Sequence, residues 1–148
     1  SVGSGNAATV GRKAQQNCHV LVVDDGPVNT MLARSVLQKA GYDVDVAFSG
    51  IEALNRQDEK TYQVVLMDIF MPDMDGIETT KRWREREKEQ QQPPAAIIAL
   101  TANVIESERE HFFAAGMNEY LAKPYHPSEL RERVDYWRQQ YESGPIEV

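Results

Sequence analysis

The chain has 148 residues, of which 41% are hydrophobic, and carries a formal net charge of −7. This length and composition predict about one soluble globular domain and exclude a membrane span, because no apolar run approaches the ~18 residues that one needs. The acidic balance argues against direct nucleic-acid binding, and the single cysteine, Cys18, excludes an internal disulfide and fits a reducing compartment. Residues 1–17 lack any periodicity and are predicted to be a linker preceding an excised domain.

Five short apolar runs alternate with five helical patterns along the rest of the chain. The predicted strands cover residues 19–23, 43–48, 62–67, 95–100 and 117–122. The predicted helices lie at 27–40, after Ser49, at 76–92, after Asn103 and at 127–141. Prolines at the helix starts, glycines at the helix ends, and capping pairs such as Ser49 with Glu52 and Asn103 with Glu106 mark the boundaries.

The helix predicted for residues 76–92 is unusually rich in charge. Its inward positions are predicted to be Ile77, Thr80 and Trp83, which recur at helical spacing. Charged residues four apart, such as Glu78 and Arg82, suit ion pairs on a helix surface. The charge run is therefore predicted to form a solvent-exposed face.

Strands that alternate with helices require parallel pairing, because each connection must cross over one face of the sheet in the right-handed sense. The prediction is therefore an α/β fold with a doubly wound, five-stranded parallel sheet and five helices. The expected strand order is the flavodoxin-like order 2-1-3-4-5, which would make the first and third strands neighbours. In such a sheet, ligands bind at the carboxyl ends of the strands, where the strand order reverses.

Polar residues follow four of the predicted strands: the pair Asp24 and Asp25, then Asp68, Thr101 and Lys123. Because all the strands end at the same edge, these side chains are expected to converge in one crevice. Three neighbouring carboxylates raise one another's pKa values unless a cation joins them, and a hard divalent ion such as Mg²⁺ prefers oxygen ligands. The cluster therefore predicts a magnesium and phosphate site.

A carboxylate can itself act as a nucleophile and form an acyl phosphate. Asp68 stands centrally among the strand ends, on the loop that leads through Pro72 to the Asp75–Gly76 helix start, and is the preferred nucleophile. Lys123 and the Thr101 hydroxyl suit the phosphoryl oxygens.

Several spaced motifs carry a resemblance to a known family. They are Val22-Val23-Asp24-Asp25, Met67-Asp68 with Met71-Pro72 and Asp75-Gly76, Ala99-Leu100-Thr101-Ala102, and Lys123-Pro124. Together they resemble the receiver domain of two-component response regulators, most closely the receivers of hybrid sensor histidine kinases. The resemblance covers residues 18–141, which leaves residues 142–148 as a tail without pattern. Gly26 departs from the family pattern, in which that position is usually polar.

The resemblance implies a role for each matching residue. Asp68 would accept a phosphoryl group from the phosphohistidine of a histidine kinase or a histidine phosphotransfer domain. Asp25, Asp68 and the Phe70 carbonyl would bind Mg²⁺, with Asp24 assisting through water. The catalytic set would be Asp68, Thr101 and Lys123, and the switch pair Thr101 and Tyr120. The domain would catalyse only its own phosphorylation and dephosphorylation.

Two other functions remain open from the residues alone. A haloacid-dehalogenase-type phosphatase also uses an aspartyl nucleophile and magnesium, but it needs a second Asp where this chain has Phe70. A phosphate-independent interaction module would keep the fold without the chemistry. The expected output is a protein contact, with no nucleic acid or membrane bound by this domain. The expected location is the cytoplasm, as an independent unit or as part of a membrane-anchored hybrid histidine kinase.

Overall fold

The computed structural model describes residues 18–102 and 106–148, with the side chains of residues 106 and 107 left out. The predicted linker at 1–17 and the predicted helix cap at Asn103 lie outside these residues. Within them, five strands form one sheet: β1 (His19–Val23), β2 (Asp43–Ala47), β3 (Val64–Asp68), β4 (Ala96–Thr101) and β5 (Glu119–Ala122).

The strands are all parallel and lie in the order β2-β1-β3-β4-β5, which confirms the predicted flavodoxin-like topology. Five helices connect them: α1 (Pro27–Lys39), α2 (Gly50–Glu59), α3 (Gly76–Gln90), α4 (Glu106–Ala115) and α5 (Pro127–Ser143). The predicted cap of α2 is present, because the Ser49 hydroxyl accepts a hydrogen bond of 3.1 Å from the backbone N–H of Glu52. Each predicted helix is therefore found, with ends that differ by a few residues.

Successive residues of the strands point to opposite faces and build two cores. Val22 and Leu66 belong to the core that α1 and α5 cover, whereas Val23 and Met67 belong to the core that α2, α3 and α4 cover. β1 and β3 are buried along almost their full length, so the sheet is covered on both sides. This arrangement fixes the strand ends rigidly against one another.

The charged helix α3 differs from its prediction at two positions. Arg84 and Glu87, which were predicted to face solvent, have side chains only 9% and 6% exposed. The Arg84 Nη1 atom lies 2.8 Å from a Glu87 oxygen, and Arg84 also donates hydrogen bonds to the Gly116 carbonyl and to the Asn118 side chain. The prediction missed this burial because two further partners of Arg84, Gly116 and Asn118, lie 32 and 34 residues away in sequence.

The chain continues past α5 in close contact with the sheet. Ile146 is buried in the core on the α1 and α5 side, and the Glu147 carbonyl accepts a hydrogen bond of 3.0 Å from the Asn118 amide. At the opposite end of the domain sequence, Cys18 is 2% exposed, and burial raises the pKa of its thiol to about 12. Residues 142–148, predicted to be a tail without pattern, contribute Ile146 to the core.

Among the described residues, no helix has the length and apolar character needed to cross a membrane.

Candidate functional site

Three carboxylates meet at the carboxyl edge of the sheet, where β1 and β3 lie side by side. One oxygen from each of Asp24, Asp25 and Asp68 can be chosen so that all three lie within 4.8 Å of one another. Asp24 and Asp68 are buried, and Asp25 is exposed at the mouth of the site. The predicted convergence of these acids is therefore present in the fold, at the switch point between β1 and β3.

Lys123, which follows β5, reaches across to the acids. Its Nζ atom lies 2.9 Å from Asp24 Oδ2 and 3.4 Å from Asp68 Oδ1. The other oxygen of Asp24 accepts a hydrogen bond of 2.8 Å from the Gly26 backbone N–H, so both Asp24 oxygens have partners. Lys123 is thus held most closely by Asp24 and remains within reach of Asp68.

The electrostatics of the site follow from this imbalance of three acids and one lysine. Burial raises the pKa of Asp68 to about 6, and the neighbouring Asp24 adds to the rise, while Lys123 and the Phe70 backbone N–H oppose it. The pKa of Lys123 is raised, because its hydrogen bond and attraction to Asp24 outweigh the effect of burial. The three acids together therefore carry more negative charge than Lys123 compensates, and a cation would stabilise them.

The donor set fits a magnesium ion. Carboxylate oxygens in excess of the available positive charge, grouped within 4.8 Å, are the ligands that a hard divalent cation prefers. Asp25 is exposed and accessible to solvent, whereas Asp24 is already engaged by Lys123 and Gly26. The acidic cluster is therefore a candidate metal site.

The loop after Asp68 is shaped by close backbone contacts. A Cβ atom at Gly76 would lie 2.2 Å from the Asp68 carbonyl oxygen, so only glycine fits there. The Asp75 side chain caps α3 by accepting a hydrogen bond of 2.8 Å from the Glu78 N–H. Phe70 projects from this loop with 62% of its surface exposed. The ring thus stands free at the edge of the site.

The two residues of the predicted switch pair lie on adjacent strands. Thr101 ends β4 and is 1% exposed, whereas Tyr120 in β5 is half-buried. In the register of the two strands, Ala99 pairs with Tyr120 and Thr101 with Ala122, so Thr101 and Tyr120 share one face of the sheet. The Arg109 guanidinium of α4 lies over the Tyr120 ring. No feature of the sequence had indicated a role for Arg109.

The fold and the acidic cluster of Asp24, Asp25 and Asp68 are together typical of one class of signalling domain. A comparison with protein-family models identifies the same class. The model described as the response regulator receiver domain matches residues 20–135. The chain belongs to this family.

Curated relatives include much longer proteins. The hybrid signal transduction histidine kinase L of Dictyostelium discoideum is 41% identical over 118 residues, which are 78% of this chain and 7% of that protein. The aerobic respiration control sensor protein ArcB of Escherichia coli K12 is 42% identical over 106 residues, which are 72% of this chain and 13% of that protein. The chain thus spans a small part of the length of these relatives.

Solved structures agree with the fold. The chemotaxis protein CheY4 of Vibrio cholerae has a TM-score of 0.74 at 30% identity, with coverage of 80% of this chain and 97% of that chain. A co-crystal structure of the Saccharomyces cerevisiae histidine phosphotransfer protein Ypd1 and the receiver domain of Ssk1 has a TM-score of 0.79 at 30% identity. That match covers 83% of this chain and 90% of the matched chain. The phosphatase alternative is not favoured, since its second Asp is replaced by Phe70.

Proposed function

We propose that Asp68 is the phosphoacceptor of this receiver domain. The observation that carries the proposal is the placement of Asp68 beside Lys123 and within 4.8 Å of two other carboxylates. In the proposed step, an Asp68 oxygen attacks the phosphorus of a phosphohistidine and forms an acyl phosphate. The bond between phosphorus and the imidazole nitrogen breaks, and its electron pair leaves with the imidazole.

The residues around Asp68 support this step in distinct ways. Asp25, Asp68 and the Phe70 carbonyl would hold Mg²⁺, with Asp24 assisting through water. The bound ion would neutralise negative charge on the carboxylates and on the phosphoryl oxygens. Lys123 would exchange its Asp68 contact for a phosphoryl oxygen, and the Thr101 hydroxyl would donate a hydrogen bond to another. Thr101 and Tyr120 would then reorient together as the switch.

The test of this proposal is phosphorylation by a small donor. The chain should gain one phosphoryl group when incubated with acetyl phosphate and Mg²⁺. Hydroxylamine should remove this group, because hydroxylamine cleaves acyl phosphates. Peptide mapping should place it on the peptide that contains Asp68. Removing Mg²⁺ with a chelator should abolish the reaction. Labelling on a histidine, or on a different acidic residue, would contradict the proposal.

Metal binding should depend on Asp25 and not on Lys123. Asp25→Asn removes a negative charge from an exposed ligand and should weaken Mg²⁺ affinity about tenfold or more, measured by titration calorimetry. Lys123→Ala should leave the affinity unchanged or increase it, since the ammonium repels the ion. The same Lys123 variant should lose the response to phosphorylation. Equal affinities for wild type and Asp25→Asn would show that the ion binds elsewhere.

Phe70 should prolong the life of the aspartyl phosphate. Hydrolysis needs a water molecule in line with the phosphorus, and an apolar ring beside the site cannot orient one. Phe70→Asn and Phe70→Glu should therefore shorten the lifetime about fivefold, which corresponds to roughly 1 kcal/mol of barrier. The measurement is the loss of phosphate after removal of the donor.

The matched control for this prediction is Phe70→Leu, which keeps an apolar side chain of similar reach. Its phosphate should decay at the wild-type rate. If the polar variants decay no faster than Phe70→Leu, the lifetime is set by other groups.

We propose that the donor or acceptor of the phosphoryl group is a histidine kinase or a histidine phosphotransfer domain that docks on an apolar rim. This rim consists of exposed residues on the first turns of α1 and on the loop after β3: Val28, Met31, Leu32 and Phe70. α1 starts two residues after Asp25, so the rim borders the acidic cluster. The similarity to a chain from the complex of Ypd1 with the Ssk1 receiver domain supports this kind of partner.

Leu32→Asp should separate docking from chemistry. Leu32 is 48% exposed, so an Asp there should leave folding intact while placing a charge in the proposed interface. Transfer from a phosphorylated histidine phosphotransfer domain should slow about tenfold or more, and labelling by acetyl phosphate should not change. Phe113→Asp, which alters an exposed apolar residue on α4, should affect neither reaction. If Leu32→Asp accepts the phosphoryl group as fast as Phe113→Asp and wild type, docking lies elsewhere.

The similarity to hybrid kinases supports a wider context for the domain. We propose that it works in the cytoplasm, in a phosphorelay, either as one segment of a hybrid histidine kinase or as a partner of one. Domain limits of 18–141, with a preceding linker and a following tail, are part of this proposal, but α5 continues to Ser143 and Ile146 of the tail packs into the domain core.

A further inference from the structure

Arg109 and Tyr120 form a contact that the proposed chemistry does not use. The Arg109 guanidinium carbon lies 5.1 Å from the centroid of the Tyr120 ring, within the range of a cation–π interaction. Arg109 belongs to α4 and Tyr120 to β5, so the contact joins a helix to the adjacent strand. Tyr120 is half-buried and packs against the core under α2, α3 and α4. The contact therefore stabilises the ring in a position that is partly open to solvent.

Tyr120 and Thr101 project from the same face of the sheet on adjacent strands. Thr101 is 1% exposed at the end of β4. If its side chain shifts toward a phosphoryl group on Asp68, as the proposed function requires, the shift would leave space on this face. An aromatic ring that follows Thr101 into that space becomes more buried. In that position the ring would lie farther from the Arg109 guanidinium than its present 5.1 Å.

We propose that Arg109 is a positioning residue that holds Tyr120 in its half-exposed position and so opposes phosphorylation of Asp68. This inference rests on the proposed function, because it assigns Tyr120 to the switch. A group that interacts with only one of two conformations shifts the equilibrium toward that conformation, and the size of the shift is set by the energy of that interaction. For a partly exposed cation–π contact, that shift is about two- to fivefold.

If Arg109 acted only through its charge, removing it would have the opposite effect on the rate of Asp68 phosphorylation. A cation near an acidic pocket attracts an anionic phosphodonor, so its removal would slow phosphorylation. Release of the Tyr120 ring would accelerate phosphorylation. The sign of the change in rate therefore separates positioning of the ring from attraction of the donor.

The first measurement needs no phosphate. Tyrosine-labelled protein should show the ring signals of Tyr120 displaced in the NMR spectrum of Arg109→Ala, and displaced less in Arg109→Lys, which keeps the charge without the planar guanidinium. Arg131→Ala, which removes a largely exposed arginine on α5, is the control and should leave these signals in place. Unchanged Tyr120 signals in Arg109→Ala would overturn the inference.

The second measurement is the rate of labelling by acetyl phosphate and Mg²⁺. Arg109→Ala should be labelled about two- to fivefold faster than wild type. In a Tyr120→Leu background, which lacks the ring, the same substitution should have no accelerating effect. Slower labelling of Arg109→Ala, or equal acceleration with and without the ring, would overturn the inference. Wild-type protein that takes no label on Asp68 would refute the proposed function instead, while the ring signals would still report on the contact.

Discussion

Asp68→Asn will abolish incorporation of phosphate from acetyl phosphate, whereas the wild-type chain will take up one phosphoryl group. The carboxamide has nearly the shape of the carboxylate but lacks the nucleophilic oxygen. It also removes one of the three charges that raise the affinity of the pocket for a cation. The effect should be complete within detection by mass spectrometry, because no neighbouring acid has the same position beside Lys123 with an oxygen still available. Asp24, the alternative, has both oxygens engaged.

Two controls distinguish loss of the nucleophile from loss of the fold. Asp73→Asn changes an exposed acid on the same loop, at a backbone φ of 70° that asparagine tolerates, and should be labelled normally. Asp68→Asn itself should be at least as stable as wild type at pH 7. The folded-state pKa of Asp68 is raised from 3.8 to about 6, so the cost of burying its charged form grows as the pH rises through this range and is complete at pH 7, and the neutral amide avoids this cost. Labelled Asp68→Asn would refute the assignment.

Glu87→Ala will strongly destabilise the domain. Glu87 accepts hydrogen bonds from Arg84, from the Trp83 indole and from the Ala95 backbone N–H, at 2.8, 3.0 and 2.7 Å. Its removal leaves the Arg84 guanidinium and two N–H donors buried without this partner. Breaking a buried ion pair in this way costs about 3–5 kcal/mol. For a chain of this size, the melting temperature should fall by roughly 10 °C.

The same helix supplies the matched control. Glu78 forms an ion pair of 2.9 Å with Arg82, but their side chains are 50% and 53% exposed. Glu78→Ala should therefore cost less than about 1 kcal/mol. Replacing Arg84 and Glu87 together with leucine should recover much of the stability that Glu87→Ala loses, because no lone charge remains buried. If Glu78→Ala and Glu87→Ala lower the free energy of unfolding by similar amounts, burial of the Arg84–Glu87 pair contributes little to stability.

The strands could be predicted because the sequence carries local signals for them, whereas their order rested on the expected flavodoxin-like topology and not on any local signal. Runs such as Val64 to Met67 are apolar on both faces, and this pattern is typical of a parallel strand covered by helices on both sides. Once the strands are parallel, their ends share one edge, and the meeting of Asp24, Asp25 and Asp68 follows from topology alone. The candidate site was predictable because its residues sit where regular elements end.

The buried network of α3 could not be predicted in the same way. A helix with many charges indicates an exposed surface, and Arg84 and Glu87 differ from their exposed neighbours only by where they point in the fold. Their partners include Gly116 and Asn118, which lie just before β5 and are next to α3 only in the folded sheet. The Arg109 contact with Tyr120 depends on the same long-range packing. The Arg84–Glu87 pair does have helical spacing, but so does the exposed pair of Glu78 and Arg82, and spacing alone does not tell the buried pair from the exposed one.

The burial of Cys18 makes this protein well suited to site-directed spectroscopy. The thiolate is the form of cysteine that reacts with alkylating reagents, and a buried thiol with a pKa of about 12 forms almost none of it at neutral pH. The sequence contains no second cysteine. A cysteine introduced at an exposed position would therefore be the one reactive thiol, without any need to replace Cys18. A fluorophore or spin label attached on α4 could then follow movement of the helix that carries Arg109 as Asp68 is phosphorylated.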